Sequence, residues 1–288
     1  MVPACLETRR GRSREIAEHL QRRERYMNIV KTILQKAGIL NRVKYSFAGR
    51  MYFAVFKPGL QRNTNNELAF YRSFLPVCKL IFDIGSNDGH KTIVFCKLAG
   101  KVVACDPDPF NTDILEARFR NNKQVCIEAV AITDHIGESE LYIEKPGSAL
   151  NSINPKWKTI LENENNNRWN EPVKFTDKVI TVPVTTLDNL INKYGIPDYI
   201  KIDVEGNEKN VLKGLTQPVK YISYEVLLPE FLTDAMECMD LICIFNSNTV
   251  FNYAVAEKLM LTKFLSPVDF KVLLKSMTIP HLEIIAKS

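Results

Sequence analysis

A chain of 288 residues, of which 45% are apolar and 25% charged, can bury a full core as one large domain or two small ones. No stretch reaches the roughly 20 apolar residues of a membrane span, and charged residues interrupt the N-terminus where a secretory signal needs an apolar core. The seven cysteines are scattered without a C-x-x-C pair, which disfavours zinc and predicts buried free thiols in the reducing cytoplasm.

Charge divides the chain into two parts. Residues 1–62 hold 14 Lys and Arg against four Glu, whereas residues 63–288 hold 24 Lys and Arg against 29 Asp and Glu. We interpret residues 1–62 as a basic, mainly helical extension and residues 63–288 as the functional domain. The extension either contacts an anionic membrane or a nucleic acid, or is only a solvated helix. The acidic domain disfavours a broad nucleic-acid surface, so no specific nucleic acid is expected.

From residue 64 the apolar pattern predicts regular elements. After a helix over residues 64–75, the predicted strands are Leu80–Ile84, Val102–Cys105, Val125–Ile132, Leu141–Glu144, Val179–Val184, Tyr199–Val204, Tyr221–Val226, Thr249–Val255 and Leu282–Ala286. The predicted helices are Lys91–Ala99, Asn111–Asn121, Leu187–Tyr194, Glu208–Leu215, Glu230–Met239 and Val268–Ser276. This alternation predicts an α/β fold with a mostly parallel sheet, helices on both faces and an antiparallel edge strand.

Residues 145–178 interrupt the alternation with a polar, Asn-rich segment. Its composition predicts a long loop, which is either a lid or a surface insertion. Trp157 and Trp169 lie in this segment, where they either stack on a sugar or hold the loop to the surface.

The stretch IFDIGSNDGH, residues 81–90, combines a strand with a Gly-rich loop. A hairpin at Asp88-Gly89 would need a second strand, but the following residues predict a helix. The Gly-Lys-Ser/Thr of a P-loop is absent, and only one of the three glycines of a G-x-G-x-x-G dinucleotide fingerprint is in place.

The charges of this loop favour a cationic ligand. Asp83 and Asp88 would repel a pyrophosphate, whereas S-adenosylmethionine carries an ammonium, a sulfonium and no phosphate. Asp88 either faces this donor or only caps the next helix. Gly85 would allow backbone approach to the ligand, and the second strand ends in Asp106, an acid placed to bind the ribose. The predicted donor site is Asp83, Gly85, Ser86, Asn87, Gly89 and Asp106.

Carboxylates also follow the strands farther along the chain. Asp203 ends one strand, Glu205 lies in the loop after it, and Glu225 ends the next strand, so all three are expected at one edge of the sheet. We expect one of them to act as general base toward an acceptor hydroxyl, or to position it. Glu208 either lines the same cleft or only favours the start of a helix. A divalent metal bound through these oxygens is possible but not expected, because no histidine is near in sequence.

The sequence resembles the FkbM-type methyltransferase family over about residues 68–288. FDIGSNDG resembles the family's first loop, VVACDPDP its ribose-binding strand end with Asp106 where Glu is usual, and HLEIIAKS its final strand. Residues 182–215, VPVTTLDNLINKYGIPDYIKIDVEGNEKNVLKGL, resemble its most distinctive signature. The resemblance implies a class I, Rossmann-like methyltransferase that uses S-adenosylmethionine. Since family members commonly methylate hydroxyls of sugars, glycans or small metabolites, we expect such an acceptor.

Two other functions stay open at this point. One is an RNA or DNA methyltransferase guided by the basic N-terminus. Asp203-Val204-Glu205-Gly206 disfavours it, because it stands where base methyltransferases often carry an Asn/Asp-Pro-Pro-aromatic motif. The other is a binding module that keeps the fold without turnover, and the intact acidic and glycine residues disfavour it.

Overall fold

A computed structural model describes residues 59–163 and 172–288, so most of the predicted extension 1–62 and also Trp169 lie outside the described residues. The helices are α1 (Gly59–Arg72), α2 (His90–Phe95), α3 (Pro109–Phe119), α4 (Pro155–Glu162), α5 (Leu187–Tyr194), α6 (Glu208–Lys213), α7 (Leu232–Cys243) and α8 (Pro267–Lys275). The strands are β1 (Cys78–Ile84), β2 (Ala99–Cys105), β3 (Val125–Glu128), β4 (Ala131–Ile132), β5 (Gly137–Tyr142), β6 (Val179–Thr185), β7 (Tyr199–Ile202), β8 (Tyr221–Leu227), β9 (Val250–Ala254) and β10 (His281–Lys287).

Within the described ranges, the main sheet has seven strands in the order β3-β2-β1-β7-β8-β10-β9. Neighbours from β3 to β8 are parallel, whereas β10 runs antiparallel to both β8 and β9. The predicted α/β fold, with a mostly parallel sheet and an antiparallel edge, is therefore confirmed. The chain winds outward from β1 to β3 and later resumes on the other side of β1 with β7. The crevice at the carboxyl ends of β1 and β7 is thus the topological switch point, where open α/β sheets bind ligands.

The central strands are buried on both faces. Phe82 and Ile200 belong to one core cluster, and their neighbours Ile81 and Tyr199 belong to the cluster on the opposite face. A parallel strand covered on both sides favours a nearly continuous apolar run, and most residues of β1 and β7 are apolar. Lys201 interrupts the apolar residues of β7 and is only 1% exposed, so its charge requires partners inside the protein.

The prediction of one strand over Val125–Ile132 is wrong. β3 ends at Glu128, and the amide of Val130 donates to the carbonyl of Glu128 (2.9 Å) in a tight turn. β4 then pairs with β6 in a separate three-stranded sheet of order β4-β6-β5. The prediction failed because the sequence pattern continues through both strands, although β3 pairs with β2 and β4 pairs with β6. The pattern of apolar residues does not show which strands pair.

Residues 145–178 are more than the long polar loop predicted for them. Residues 155–162 form α4, because the Asn154 side chain accepts from the amide of Lys156 (2.9 Å) and Pro155 occupies the first turn. Trp157 and Leu161 on α4 are buried in the main core. The described part of this segment is therefore packed against the domain, beside the carboxyl edge of the sheet.

The residues that the structure describes include no helix long and apolar enough to cross a membrane. Their six cysteines are free thiols, of which Cys78, Cys105 and Cys238 are buried.

Candidate active site

A cleft opens at the carboxyl ends of β1, β2 and β7. Open α/β sheets bind their ligands at this edge. The lining includes polar residues Asn87, Asp106, Asn111, Ser152 and Asp203 and apolar residues Ile84, Val130, Ile132, Leu141 and Ile153. An apolar wall beside several oxygen acceptors suits a ligand that joins a flat ring to hydroxyl and cationic groups. We call this space the donor cleft.

Gly85 lines the donor cleft, but its neighbour on β7 explains why glycine is needed. Its φ is +82°, and a Cβ atom built there would lie 1.7 Å from the carbonyl oxygen of Asp203. The amide of Asp203 in turn donates to the carbonyl of Ile84 (2.9 Å), which holds the two strand ends together. Glycine is therefore required at position 85 by the close approach of the end of β7, besides any approach of a ligand.

Asp106, the predicted ribose acid, lines the donor cleft with its carboxylate held in place. It accepts from the amides of Asn87 (2.8 Å) and Asp108 (3.0 Å) and from Asn111 Nδ2 (3.2 Å). Burial raises the pKa of Asp106 to about 6 against these donors, so the carboxylate is ionised at neutral pH. A carboxylate offers about four acceptor positions, which leaves one for a ligand hydroxyl.

Asn111 carries an orphaned acceptor in the same cleft. Its Nδ2 is used by Asp106, while its Oδ1 is buried with no hydrogen-bond partner among the described residues. Leaving a buried acceptor unpaired typically costs about 1–3 kcal/mol, and a ligand hydroxyl or amine would relieve this. The donor cleft therefore fits the ribose and purine of S-adenosylmethionine.

Three other predicted donor residues lie behind the loop and do not line the cleft. Asp83 is 2% exposed and accepts from Thr92 Oγ1 (2.5 Å), and burial raises the pKa of Asp83 to about 6. The Ser86 hydroxyl donates to a backbone carbonyl of β2 (3.3 Å). A Cβ on Gly89 would lie 2.6 Å from the ring of Phe119. These residues shape the loop and seat α2 against α3.

Asp88 caps a helix instead of facing the donor cleft. Its Oδ1 accepts from the amide of His90 (3.0 Å), and its Oδ2 pairs with Arg118 (2.9 Å). His90 places its Nε2 2.9 Å from Glu67 Oε1. Both residues thus fasten the start of α2.

A smaller cleft adjoins the donor cleft, and Asp203 and Glu205 line both of them. The other lining residues are Trp157, Gly206, Glu208, Glu225, Val226, Leu227, Phe231 and His281. All three predicted catalytic carboxylates, Asp203, Glu205 and Glu225, therefore meet at this space, which we call the acceptor cleft.

Two cations hold Glu225. Lys201 Nζ donates to Glu225 Oε1 (2.8 Å) and lies 3.4 Å from Asp203 Oδ2, while His281 Nε2 lies 2.8 Å from Glu225 Oε2. Burial favours the neutral acid, but Lys201 and His281 outweigh it and hold the pKa of Glu225 well below its usual range. Burial and the charge of Glu225 raise the pKa of Asp203 to about 8. Environments that separate the pKa values of neighbouring carboxylates are typical of acid–base sites.

Glu205 and Glu208 also line the acceptor cleft, and together with Asp203 and Glu225 they form what we call its acidic wall. Glu205 has φ +56°, an unfavourable conformation for a residue with a side chain, and burial raises its pKa well above the usual range. Glu208 accepts from the amides of Val204 and Gly206 (both 3.2 Å), and burial raises its pKa to about 7. Glu208 therefore both lines the cleft and supports the turn that carries Glu205.

Residues 147–154 connect the walls of the two clefts. Asn151 Nδ2 donates to Asp108 Oδ2 (2.9 Å), and Asp108 also caps α3, so this carboxylate is engaged in structure. The Ser152 hydroxyl donates to the carbonyl of Glu205 (2.8 Å). The segment thereby braces the strained turn of the acceptor cleft.

Lys201 and His281 were not predicted as site residues from the sequence. Lys201 could have been identified, since a charge inside a buried strand requires partners. No local pattern could have identified His281, because only the pairing of β10 with β8 brings it to Glu225. Trp157 donates its ring NH to the carbonyl of Leu150 (3.1 Å) and contacts Phe231, with ring centroids 5.9 Å apart. It therefore holds its segment in place.

Among residues 59–163 and 172–288, no three His, Cys, Asp or Glu side chains are grouped so that they could hold a metal ion.

The fold and the two adjoining clefts define an S-adenosylmethionine-dependent methyltransferase of class I fold. The model of the methyltransferase FkbM domain matches residues 83–239, more than half of the chain. The chain belongs to this FkbM family of methyltransferases, which confirms the resemblance drawn from its sequence.

No curated protein matches the chain by sequence. Among solved structures, a precorrin-6y C5,15-methyltransferase from Geobacter metallireducens has a TM-score of 0.41 at 13% identity, covering 78% of this chain and 88% of its own. An O-methyltransferase from Bacillus cereus in complex with SAH has a TM-score of 0.40 at 13% identity, with coverages of 79% and 81%. A putative RNA methyltransferase from Pyrococcus horikoshii has a TM-score of 0.36 at 9% identity, with coverages of 78% and 82%. At these scores the likenesses carry no argument about function.

Proposed function

We propose that this methyltransferase methylates a hydroxyl of a sugar, glycan or small metabolite. The observation that carries the proposal is that Asp203 and Glu205 line both clefts, at the junction between donor and acceptor. Methyl transfer to a hydroxyl needs removal of one proton, and a carboxylate at the junction is placed to take it.

The donor cleft supplies the contacts for S-adenosylmethionine. Asp106 and Asn111 Oδ1 offer acceptors to ribose hydroxyls, and the apolar wall offers a surface for the purine. The carboxylate of Asp106, which is ionised at neutral pH, favours a cation over a pyrophosphate. When bound, S-adenosylmethionine supplies a methyl group on a positively charged sulfur.

The acceptor cleft supplies the proton transfer. Asp203 has a pKa of about 8, so its ionised fraction grows through the neutral range and can take the hydroxyl proton. Glu225 is held ionised and accepts a hydrogen bond from the acceptor, which orients it. Burial raises the pKa of Glu205, and in its protonated form this carboxyl group can donate a hydrogen bond to the acceptor.

The acidic wall also bears on the alternatives. Four carboxyl groups, Asp203, Glu205, Glu208 and Glu225, line the acceptor cleft, whereas a phosphate backbone needs basic side chains, of which the lining has only His281 among the described residues. This favours a neutral hydroxylated acceptor over RNA or DNA. From the sequence, residues 1–62 either contact an anionic membrane or form only a solvated helix, and location in the cytoplasm is expected.

Amide substitutions test the catalytic roles. Asp203→Asn, Glu205→Gln and Glu225→Gln are compared with Glu116→Gln, an exposed carboxylate on α3, for turnover and for S-adenosylmethionine affinity by calorimetry. Asp203→Asn is expected to lose at least about 100-fold in turnover while binding the donor. Full turnover in all three variants would refute the assignment.

Transfer of a radiolabelled methyl group to separate pools of neutral glycans, hydroxylated metabolites and RNA tests the acceptor class. Label in a hydroxyl of the first two pools supports the proposal, whereas label in RNA alone refutes it.

A further inference from the structure

His281 begins β10, whose antiparallel pairing with β8 brings it beside Glu225. Its Nε2 lies 2.8 Å from Glu225 Oε2, and its side chain is 58% exposed at the acceptor cleft. Of the described histidines, His90 binds Glu67 and His135 binds Asp134, and neither lines a cleft described above.

The two oxygens of Glu225 have different cationic partners. Lys201, on Oε1, is 1% exposed and has a pKa raised well above its usual range by its acidic neighbours, so it stays charged. His281, on Oε2, is accessible to solvent and can gain or lose its charge near neutral pH. Lys201 is therefore a permanently charged partner of Glu225, whereas the charge of His281 depends on pH.

Every charged group that faces His281 comes from an adjacent element. Glu225 on β8 and Asp203 at the end of β7 stabilise its charged form, while Lys201 on β7 opposes it. Glu205 and Glu208 line the same cleft from the turn after β7 and from α6. The bond to Glu225 dominates and raises the pKa of His281.

We propose that His281 is a positioning residue, which acts through Glu225 to keep Asp203 available as the base. This inference rests on the proposed function. The imidazolium of His281 and the ammonium of Lys201 together hold Glu225 ionised. If His281 loses its charge, only Lys201 still offsets the negative charge of Glu225, and that charge then strengthens the hold of Asp203 on its proton. Asp203 then gives up that proton less readily and accepts one from the substrate only at higher pH.

The test compares kcat against pH in His281→Gln, His281→Lys and the matched control His135→Gln. Losing a nearby opposite charge typically moves a carboxyl pKa by about 1–3 units. His281→Gln should therefore move the rising limb of the kcat–pH profile, where the base loses its proton, to higher pH by at least about one unit. At pH 7.5 kcat should fall about tenfold, and at high pH it should recover. His281→Lys should return the limb toward the wild-type position, and His135→Gln should leave it unmoved.

Two measurements separate this proposal from folding effects and from the proposed function. NMR titration of the histidine side chains in the full chain needs no acceptor, and the pKa of His281 should fall in Glu225→Gln. Urea denaturation checks that each variant is folded. An equal loss of kcat at every pH, an unmoved profile, or an unchanged His281 titration in Glu225→Gln would overturn the proposal. If the wild type methylates no hydroxyl acceptor, the proposed function fails instead, whatever the titration gives.

Discussion

Replacing Gly85 by Ala tests whether the donor loop is built around the end of β7. At φ +82° an alanine in the left-handed region costs about 1–2 kcal/mol. Its Cβ would also meet the carbonyl oxygen of Asp203 at 1.7 Å, a backbone atom that cannot rotate away. Overpacking of this kind typically adds about 1–3 kcal/mol. We therefore expect the free energy of unfolding to fall by about 2–5 kcal/mol, a large part of the roughly 5–15 kcal/mol of a typical domain.

Gly195→Ala is the matched control, because Gly195 also has a positive φ (+95°), but apart from its chain neighbours no heavy atom of the described residues lies within 4 Å of the position that a Cβ would take there. Both variants are unfolded in urea and followed by circular dichroism, and their affinity for S-adenosylmethionine is measured by calorimetry. Gly85→Ala should lose about 1–3 kcal/mol more than Gly195→Ala and should bind the donor more weakly. Equal stability and equal donor affinity in the two variants would refute the reasoning.

Three further substitutions probe the site. Burial raises the pKa of Asp83 from an ordinary value of about 4 to about 6, a shift that corresponds to about 3 kcal/mol. The ionised Asp83 destabilises the fold by this amount above about pH 6, and the effect disappears as the pH falls to about 4. Asp83→Asn should therefore raise the free energy of unfolding at pH 7.5 by up to about 3 kcal/mol and hardly at pH 4, and a loss at pH 7.5 in urea denaturation would contradict this. Asn111→Ala should weaken donor binding about two- to tenfold in calorimetry, the value of one hydrogen bond, and unchanged affinity would count against a role for Oδ1. Lys201→Met should lower the free energy of unfolding in urea by about 1–3 kcal/mol, because it removes the buried ammonium that pairs with the partly exposed Glu225, and Glu225→Gln in the same chain should recover part of it.

The sequence alone predicted most elements of the main sheet in their order, and one edge of the site. Apolar runs followed by helical periodicity predicted the parallel sheet, because burial on both faces leaves a pattern in every central strand. Acidic residues at strand ends could then be assigned to one edge, since parallel strands end on the same side. Asp106, Asp203, Glu205 and Glu225 were found in this way.

Contacts between distant parts of the chain were decided only by tertiary structure. Asp83 and Asp106 both follow apolar strand residues, yet one is buried behind the loop and the other lines the cleft. His281 reaches Glu225 through an antiparallel pairing that no local pattern encodes. The division of residues 125–132 between two sheets depends equally on which strands are available as partners. Local sequence determines periodicity and chemical type, whereas burial, pairing and ionisation depend on neighbours that only the folded chain brings together.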